Sequence, residues 1–170
     1  MGLFTLSFWL GSISEPTEEE ALTFMEEFES LIEEIDAVGI FEHNTLLSLP
    51  MFIPGFGVGW GLFSAWSTGF GFAAIAMMTP EFAQLTDGNP LFSLAILYAT
   101  PFGIMELVAY SIATSRSYIL IWMIIKKINL RTAARGTAIE IGILVGLLLA
   151  GGIIENAMIE MAEEQGFDFG

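Results

Sequence analysis

Long uncharged blocks, separated by short polar stretches, set the pattern of this chain. From Thr45 to Thr79 no side chain carries a charge. One helix of that length would outrun a hydrocarbon core about 30 Å thick, at about 1.5 Å of rise per residue. The block therefore predicts two membrane segments, about 45–62 and 64–79, joined by a tight turn. One kinked helix with a re-entrant piece is the competing arrangement. Pro50, Pro54, Gly55, Gly57, Gly59, Gly61, Gly69 and Gly71 punctuate the block; any break here must be covered by protein, because bare backbone is costly in lipid. A second block, 91–125, is interrupted by Pro101, Glu106 and Arg116. The residue before a proline is biased away from the helical region, so a break is expected near 100. Residues 136–160 form a clean last span. The first block, 1–13, is only long enough for a partial or short first transmembrane helix, and it has no Lys or Arg to make the basic start of a secretory signal.

The stretch 14–43 follows a different period. Leu22, Met25, Phe28, Ile32, Ile35 and Val38 recur at steps of three or four with glutamates between them, the pattern of an amphipathic helix. Thr17 with Glu20 forms a capping box at its start, after Pro16, and Gly39 is the expected end. Residues 80–90 read as a polar loop closed by Asp87-Gly88-Asn89-Pro90. Residues 126–135 read as a basic loop, and 162–170 as an acidic tail.

Composition turns these elements into a fold class. The chain has 170 residues, 54% of them hydrophobic and 15% charged, with mean hydropathy +0.68. Such a chain lacks the polar surface that a water-soluble globule of this size presents. The expected fold is all-α, a polytopic membrane helical bundle with glycine/proline-broken helices and an N-terminal amphipathic interfacial helix; its membrane domain is 44–161. Without cysteine, disulfides and thiolate metal sites are excluded. Net charge is −15, yet the five basic residues (Arg116, Lys126, Lys127, Arg131, Arg135) fall in one short stretch. Lys and Arg in short loops mark the cytoplasmic side. That puts 126–135 on the cytoplasmic face of the cell membrane, with the acidic helix, the 80–90 loop and the C-terminus outside. Nucleic acid is excluded as a partner, since no extended basic face exists. Membrane lipids, a second copy in a homo-oligomer (a dimer) and other membrane proteins are the expected partners.

Three places carry candidate chemistry. Phe41-Glu42-His43-Asn44 leads into the glycine-rich block; His43 is the single histidine, so an imidazole metal site lacks ligands, and His43 and Asn44 are expected to cap or hydrogen-bond at the interface. Thr100 to Glu106 combines a broken helix with a carboxyl inside an apolar run, a default pointer to function or assembly. Glu155, in Ile154-Glu155-Asn156, is expected nearer the outer edge than Glu106, at a different depth and in a structural role. Glu140 reads as interfacial. Neither a nucleophile–base pair nor a phosphate loop occurs, so the expectation is a non-enzyme without cofactor or metal.

The order of these motifs resembles the stage II sporulation protein M family over roughly residues 40–160. The matching positions are Phe41 and Asn44; Gly55, Gly59 and Gly69; Pro101, Gly103, Ile104 and Glu106; Ile154 and Glu155. Phe102 stands where the family usually has histidine, so an imidazole partner for Glu106 is not implied. The resemblance implies a non-catalytic multi-pass membrane scaffold that organises a complex; the family's namesake recruits cell-wall hydrolases during engulfment. The alternative is a permease-like dimeric transporter subunit with Glu106 lining a solute or ion path.

Overall fold

The computed structural model describes residues 1–32, 36–86, 89 and 91–164, and every element among them is helical. Three of these helices are long and apolar enough to cross a membrane: Phe56–Met78, Pro101–Ile125 and Arg131–Met161.

Helix α1 (Gly2–Ser12) is followed by α2 (Glu18–Ile32), which opens on the expected capping box. Glu20 N donates to Thr17 Oγ1 at 3.3 Å, and Thr17 N donates back to Glu20 Oε2 at 2.9 Å. Its apolar face is anchored by Ala21, fully buried, and by Phe24, whose ring meets Phe70 at 6.4 Å. The acidic helix does not continue to Gly39 as one piece. Asp36 accepts from Val38 N and Gly39 N and caps a new helix, α3 (Ala37–Ser48). A carboxylate oxygen here satisfies N–H groups that would otherwise have no partner, so Val38 and Gly39 open α3 instead of closing α2. Residues 33–35, with Ile35, lie outside the described residues, as does the Ile32 side chain.

The uncharged block divides earlier than its composition suggests. Pro50 lies in a short 3-10 turn (Leu49–Phe52), Gly55 takes φ +78°, and α4 (Phe56–Met78) then runs unbroken for 23 residues. The turn thus falls at 53–55 and not near 63. The physical reason is that Pro54 brings no N–H and Gly55 alone tolerates a positive φ. Glycines further on sit inside α4 because neighbours press against them. A Cβ on Gly57 would meet the Met51 carbonyl.

Two loops are shorter than expected. Helix α5 (Pro80–Thr86) occupies most of the stretch read as a loop; proline is tolerated in a first turn. Asp87, Gly88 and Pro90 lie outside the described residues. After α6 (Leu91–Ala99), Thr100 is extended, its side chain accepts from Gly103 N, and α7 (Pro101–Ile125) begins. The basic loop is confined to 126–130. Asn129 Oδ1 accepts from Arg131 N at 3.0 Å, so α8 (Arg131–Glu164) already contains Arg131 and Arg135. The tail beyond Glu164 is outside the described residues.

Helix α1 lies along α4 at backbone contact: a Cβ on Gly11 would strike the Trp66 carbonyl, and one on Gly69 the Phe8 carbonyl. Small residues allow this approach and the dispersion contacts that come with it. Helix α8 packs on α7 and α3, and α4 packs on α7. Phe8, Met51, Leu107, Leu144 and Leu148 are enclosed where these elements meet. Helix α3 runs alongside α7 in the same direction. Asn44 meets Glu106, and one chain level further Ser117 Oγ donates to Ile53 O at 2.6 Å.

Glu20 links this fold to pH. Hydrogen bonds from the Thr17 backbone, and then from its hydroxyl, hold its carboxyl below the ordinary value of 4.5. The group contributes while ionised; its contribution is complete above 4.5 and is lost as pH falls through the lowered value. Circular dichroism of the solubilised protein should show helix loss on acidification in that range, and Thr17→Ala should show part of that loss already at neutral pH. Identical acid profiles for both proteins would refute the cap's role.

Candidate functional site: carboxyls between α3, α7 and α8

The facing surfaces of three helices bring polar groups into an apolar setting. On α8, Glu140, Leu144, Leu148, Gly151 and Glu155 recur at helical spacing, and Leu144 and Leu148 are fully buried. The stripe therefore points inward, and both acids lie on it. On α7 the inward stripe is Gly103, Glu106, Tyr110, Ala113 and Ser117; on α3 it is Ile40, Asn44 and Ser48. A Cβ on Gly151 would meet Met105, and one on Gly152 would come within 3.1 Å of Ala37 O and 3.3 Å of Phe41 N. Those glycines let α8 close on α7 and α3 at this level.

Asn44 Nδ2 donates to Glu106 Oε1 at 2.5 Å. Glu155 lies within electrostatic reach of Glu106, and its Oε2 is enclosed with no hydrogen-bond partner among the described residues. Helices α7 and α8 are antiparallel about one short turn, and the contacts of Arg116 with Glu140 and of Gly151 with Met105 fix their register, so Glu155 lies about one turn further from that turn than Glu106 does. Tyr110, one turn along α7 from Glu106, is 7% exposed, and its ring lies tilted against Phe4 at 6.0 Å. Thr45 Oγ1 and Ser111 Oγ, next in sequence to Asn44 and Tyr110, are also enclosed without partners.

A second polar pair joins α7 to α8 nearer their connecting turn. Arg116 Nε donates to Glu140 Oε2 at 2.5 Å, and its Nη2 pairs with Glu140 Oε1. Glu140 is thus an ion-pair partner and not simply an interfacial residue. The sequence signal was the pairing of Arg116 with the inward α8 stripe, whose periodicity includes Glu140.

The other candidate residues divide into those at the cluster and those away from it. Phe41 is half-buried and packs on the core beside α8. Pro101 and Gly103 set the start of α7, and a Cβ on Gly103 would come within 2.5 Å of Leu97 O. His43 is exposed and stands apart. Gly55 lies at the far turn, beside Ile121. Gly59 faces open space and Gly69 serves the α1 contact. No group of metal-ligating side chains occurs among the described residues.

Fold and site define an all-helical protein with three helices of membrane-crossing length and a carboxyl–amide–phenol cluster between helices. No family model matches the chain, nor does any curated protein or solved structure.

Removing the Asn44 amide leaves Glu106 without its donor. Asn44→Ala should lower stability by about 1–3 kcal/mol, the usual consequence of stranding a buried polar partner. Combined with Glu106→Gln it should lose much less than the sum of the single effects. Thermal unfolding in detergent measures this cycle; strict additivity would mean that the contact carries no coupling.

Proposed function

We propose that the chain is a non-catalytic multi-pass membrane scaffold or assembly subunit, of the type that the stage II sporulation protein M resemblance implies. The observation that carries this reading is an unused face on α8. Ala138, Ile139, Gly142, Ile143, Gly146 and Ile153 are exposed at helical spacing, and a Cβ on Gly142 or Gly146 would meet nothing within 4 Å. Glycines spaced by four on an open apolar helix suit close approach by a second helix in lipid. The glutamate face of α2 adds an acidic surface, with Glu18, Glu19 and Glu26 exposed, for a partner in the aqueous phase. By the charge rule, the turn at 126–130 faces the cytoplasm, and α2 and the end of α8 face outward. The permease-like reading has one observation in its favour: Glu155 Oε2 is enclosed with no hydrogen-bond partner among the described residues.

Gly142→Leu and Gly146→Leu should reduce recovery of the homo-oligomer or partner complex about tenfold, equivalent to about 1.4 kcal/mol of association, while leaving the monomer folded. Gly57→Leu, which meets the Met51 backbone, should instead lose the fold. Cross-linking and mass spectrometry of the solubilised protein read this out. Undiminished association in both α8 variants refutes the assembly face. For orientation, cysteine in place of Gln84 should label from outside intact cells and cysteine in place of Asn129 should not; the reverse pattern inverts the topology.

A further inference from the structure

Four cations stand at one end of the α7–α8 hairpin with no anion of the chain to answer them. From Leu107 to Ile139 no acidic residue occurs, in a chain whose net charge is −15. Glu140 is taken by Arg116. Gly55, in the turn that enters α4, lies against Ile121 of α7 and belongs to the uncharged block 45–79. Neither α4 nor the 3-10 turn before it therefore brings an acid. Lys126, Lys127, Arg131 and Arg135 are all exposed, and none forms an ion pair among the described residues.

Local helix chemistry does not account for cations at these positions. Helix α7 closes with Ile128 N donating to Met123 O and Lys127 N to Ile124 O, and Lys127 takes φ +55°. Glycine is usual at that place in such a closure, and a residue with a Cβ is disfavoured there. This chain, with 18 glycines, has lysine instead. A cation at least suits the C-terminal end of the α7 dipole. Arg131 has no such support: it opens α8, where the dipole disfavours positive charge, and Arg135, four residues on, repels it. Asn129 already satisfies the first backbone donors of α8, its Oδ1 accepting from Arg131 N and its carbonyl oxygen from Thr132 N. An anion at this turn is therefore met by side-chain cations and not by open N–H groups.

The surroundings of the turn select the kind of anion. Trp122, Ile125 and Ile128 are exposed apolar residues at the same end. The turn joins two of the three helices of membrane-crossing length. It lies where hydrocarbon gives way to headgroups, a level at which tryptophan is also favoured. An amphiphile with an anionic headgroup meets both demands; a free phosphate leaves the apolar residues in water.

We propose that the α7–α8 turn binds the headgroup of an anionic phospholipid through Lys126, Lys127, Arg131 and Arg135, with the acyl chains beside Trp122 and Ile125. The inference rests on the multi-pass reading and is independent of the assembly face on α8.

Quenching of tryptophan fluorescence in the full-length protein, reconstituted in phosphatidylcholine vesicles, tests it. The quencher is brominated phosphatidylglycerol in one series and brominated phosphatidylcholine in the other. The anionic lipid should be preferred about fivefold or more, which is what a single cation near an anionic membrane surface contributes. Added sodium chloride should weaken the preference. Replacing all four cations (Lys126→Gln, Lys127→Gln, Arg131→Gln and Arg135→Gln together) should abolish it. Trp122→Phe should abolish it too, because Trp9, Trp60 and Trp66 lie on α1 and α4. The salt response of the parent decides the matter if the fourfold variant does not fold. Equal quenching by the two lipids, a preference insensitive to salt, or its survival in either variant overturns the proposal. So does its loss in sodium phosphate at an ionic strength where sodium chloride only weakens it, because the occupant would then be free phosphate. A chain that does not enter the vesicles overturns the multi-pass reading as well, whereas insertion without lipid preference overturns this inference alone.

Discussion

A carboxyl group set among apolar helices has to be answered by its neighbours, and Glu106 imposes that requirement on the molecule. An unsatisfied polar group in such a place costs about 1–3 kcal/mol even before charge is counted, and more if ionised. The answer comes from Asn44, distant in sequence, so α3 must lie beside α7 with its inward face correctly turned. That placement needs a helix start at Asp36, which caps α3, and a way back out, which the Pro54-Gly55 turn provides. Further hydrogen bonds from Ser117 to Ile53 O and from Trp60 Nε1 to Leu47 O fix the same hairpin against α7 and α4. Backbone carbonyls near the turn, where helical pairing ends, are thereby satisfied by side chains.

Glycine serves two different purposes along these helices, and the distinction separates the interior of the bundle from its periphery. At Gly11 and Gly69 the missing Cβ is what allows two backbones to touch. At Gly142 and Gly146 nothing in the chain fills the space. A glycine in mid-helix is about 0.5–1 kcal/mol less favourable than alanine, so those two open positions are locally disadvantageous within this chain alone. Contact with a second helix is the compensation that the proposed assembly face supplies.

Several of these features were legible in the residues and others were not. The capping box at Thr17 and Glu20 follows from local chemistry, and the three long apolar helices follow from composition. The extent of α4 is not visible in its glycines, because whether a glycine breaks a helix or lets a neighbour approach depends on tertiary contacts that a single strand of sequence does not display. Asp36 falls inside the stretch whose apolar period runs on to Val38, and that period hides the local signal of a helix start, an aspartate before small residues. The Asn44–Glu106 contact joins two places far apart in the chain, and its geometry depends on the turn at Gly55. The level at which Glu155 sits follows from the register of the α7–α8 hairpin: counted from the short turn, it falls opposite the first residue of α7, about a turn beyond Glu106.

The two polar pairs between α7 and α8 show why one of them is more than a staple. Arg116 and Glu140 have opposite charges and close contact, so they neutralise each other and satisfy each other's hydrogen bonds. Such a pair is complete, and it fixes the register of the helices without calling for a further ligand. Glu106 and Glu155 sit on the same two stripes toward the other end, with the same sign. Asn44 answers Glu106 from α3, whereas Glu155 Oε2 is enclosed with no hydrogen-bond partner among the described residues. The Arg116–Glu140 pair closes on itself within the α7–α8 hairpin; Glu106 is answered only because a third helix is there. The placement of α3, and not the register of α7 on α8, therefore decides whether that carboxyl has a partner.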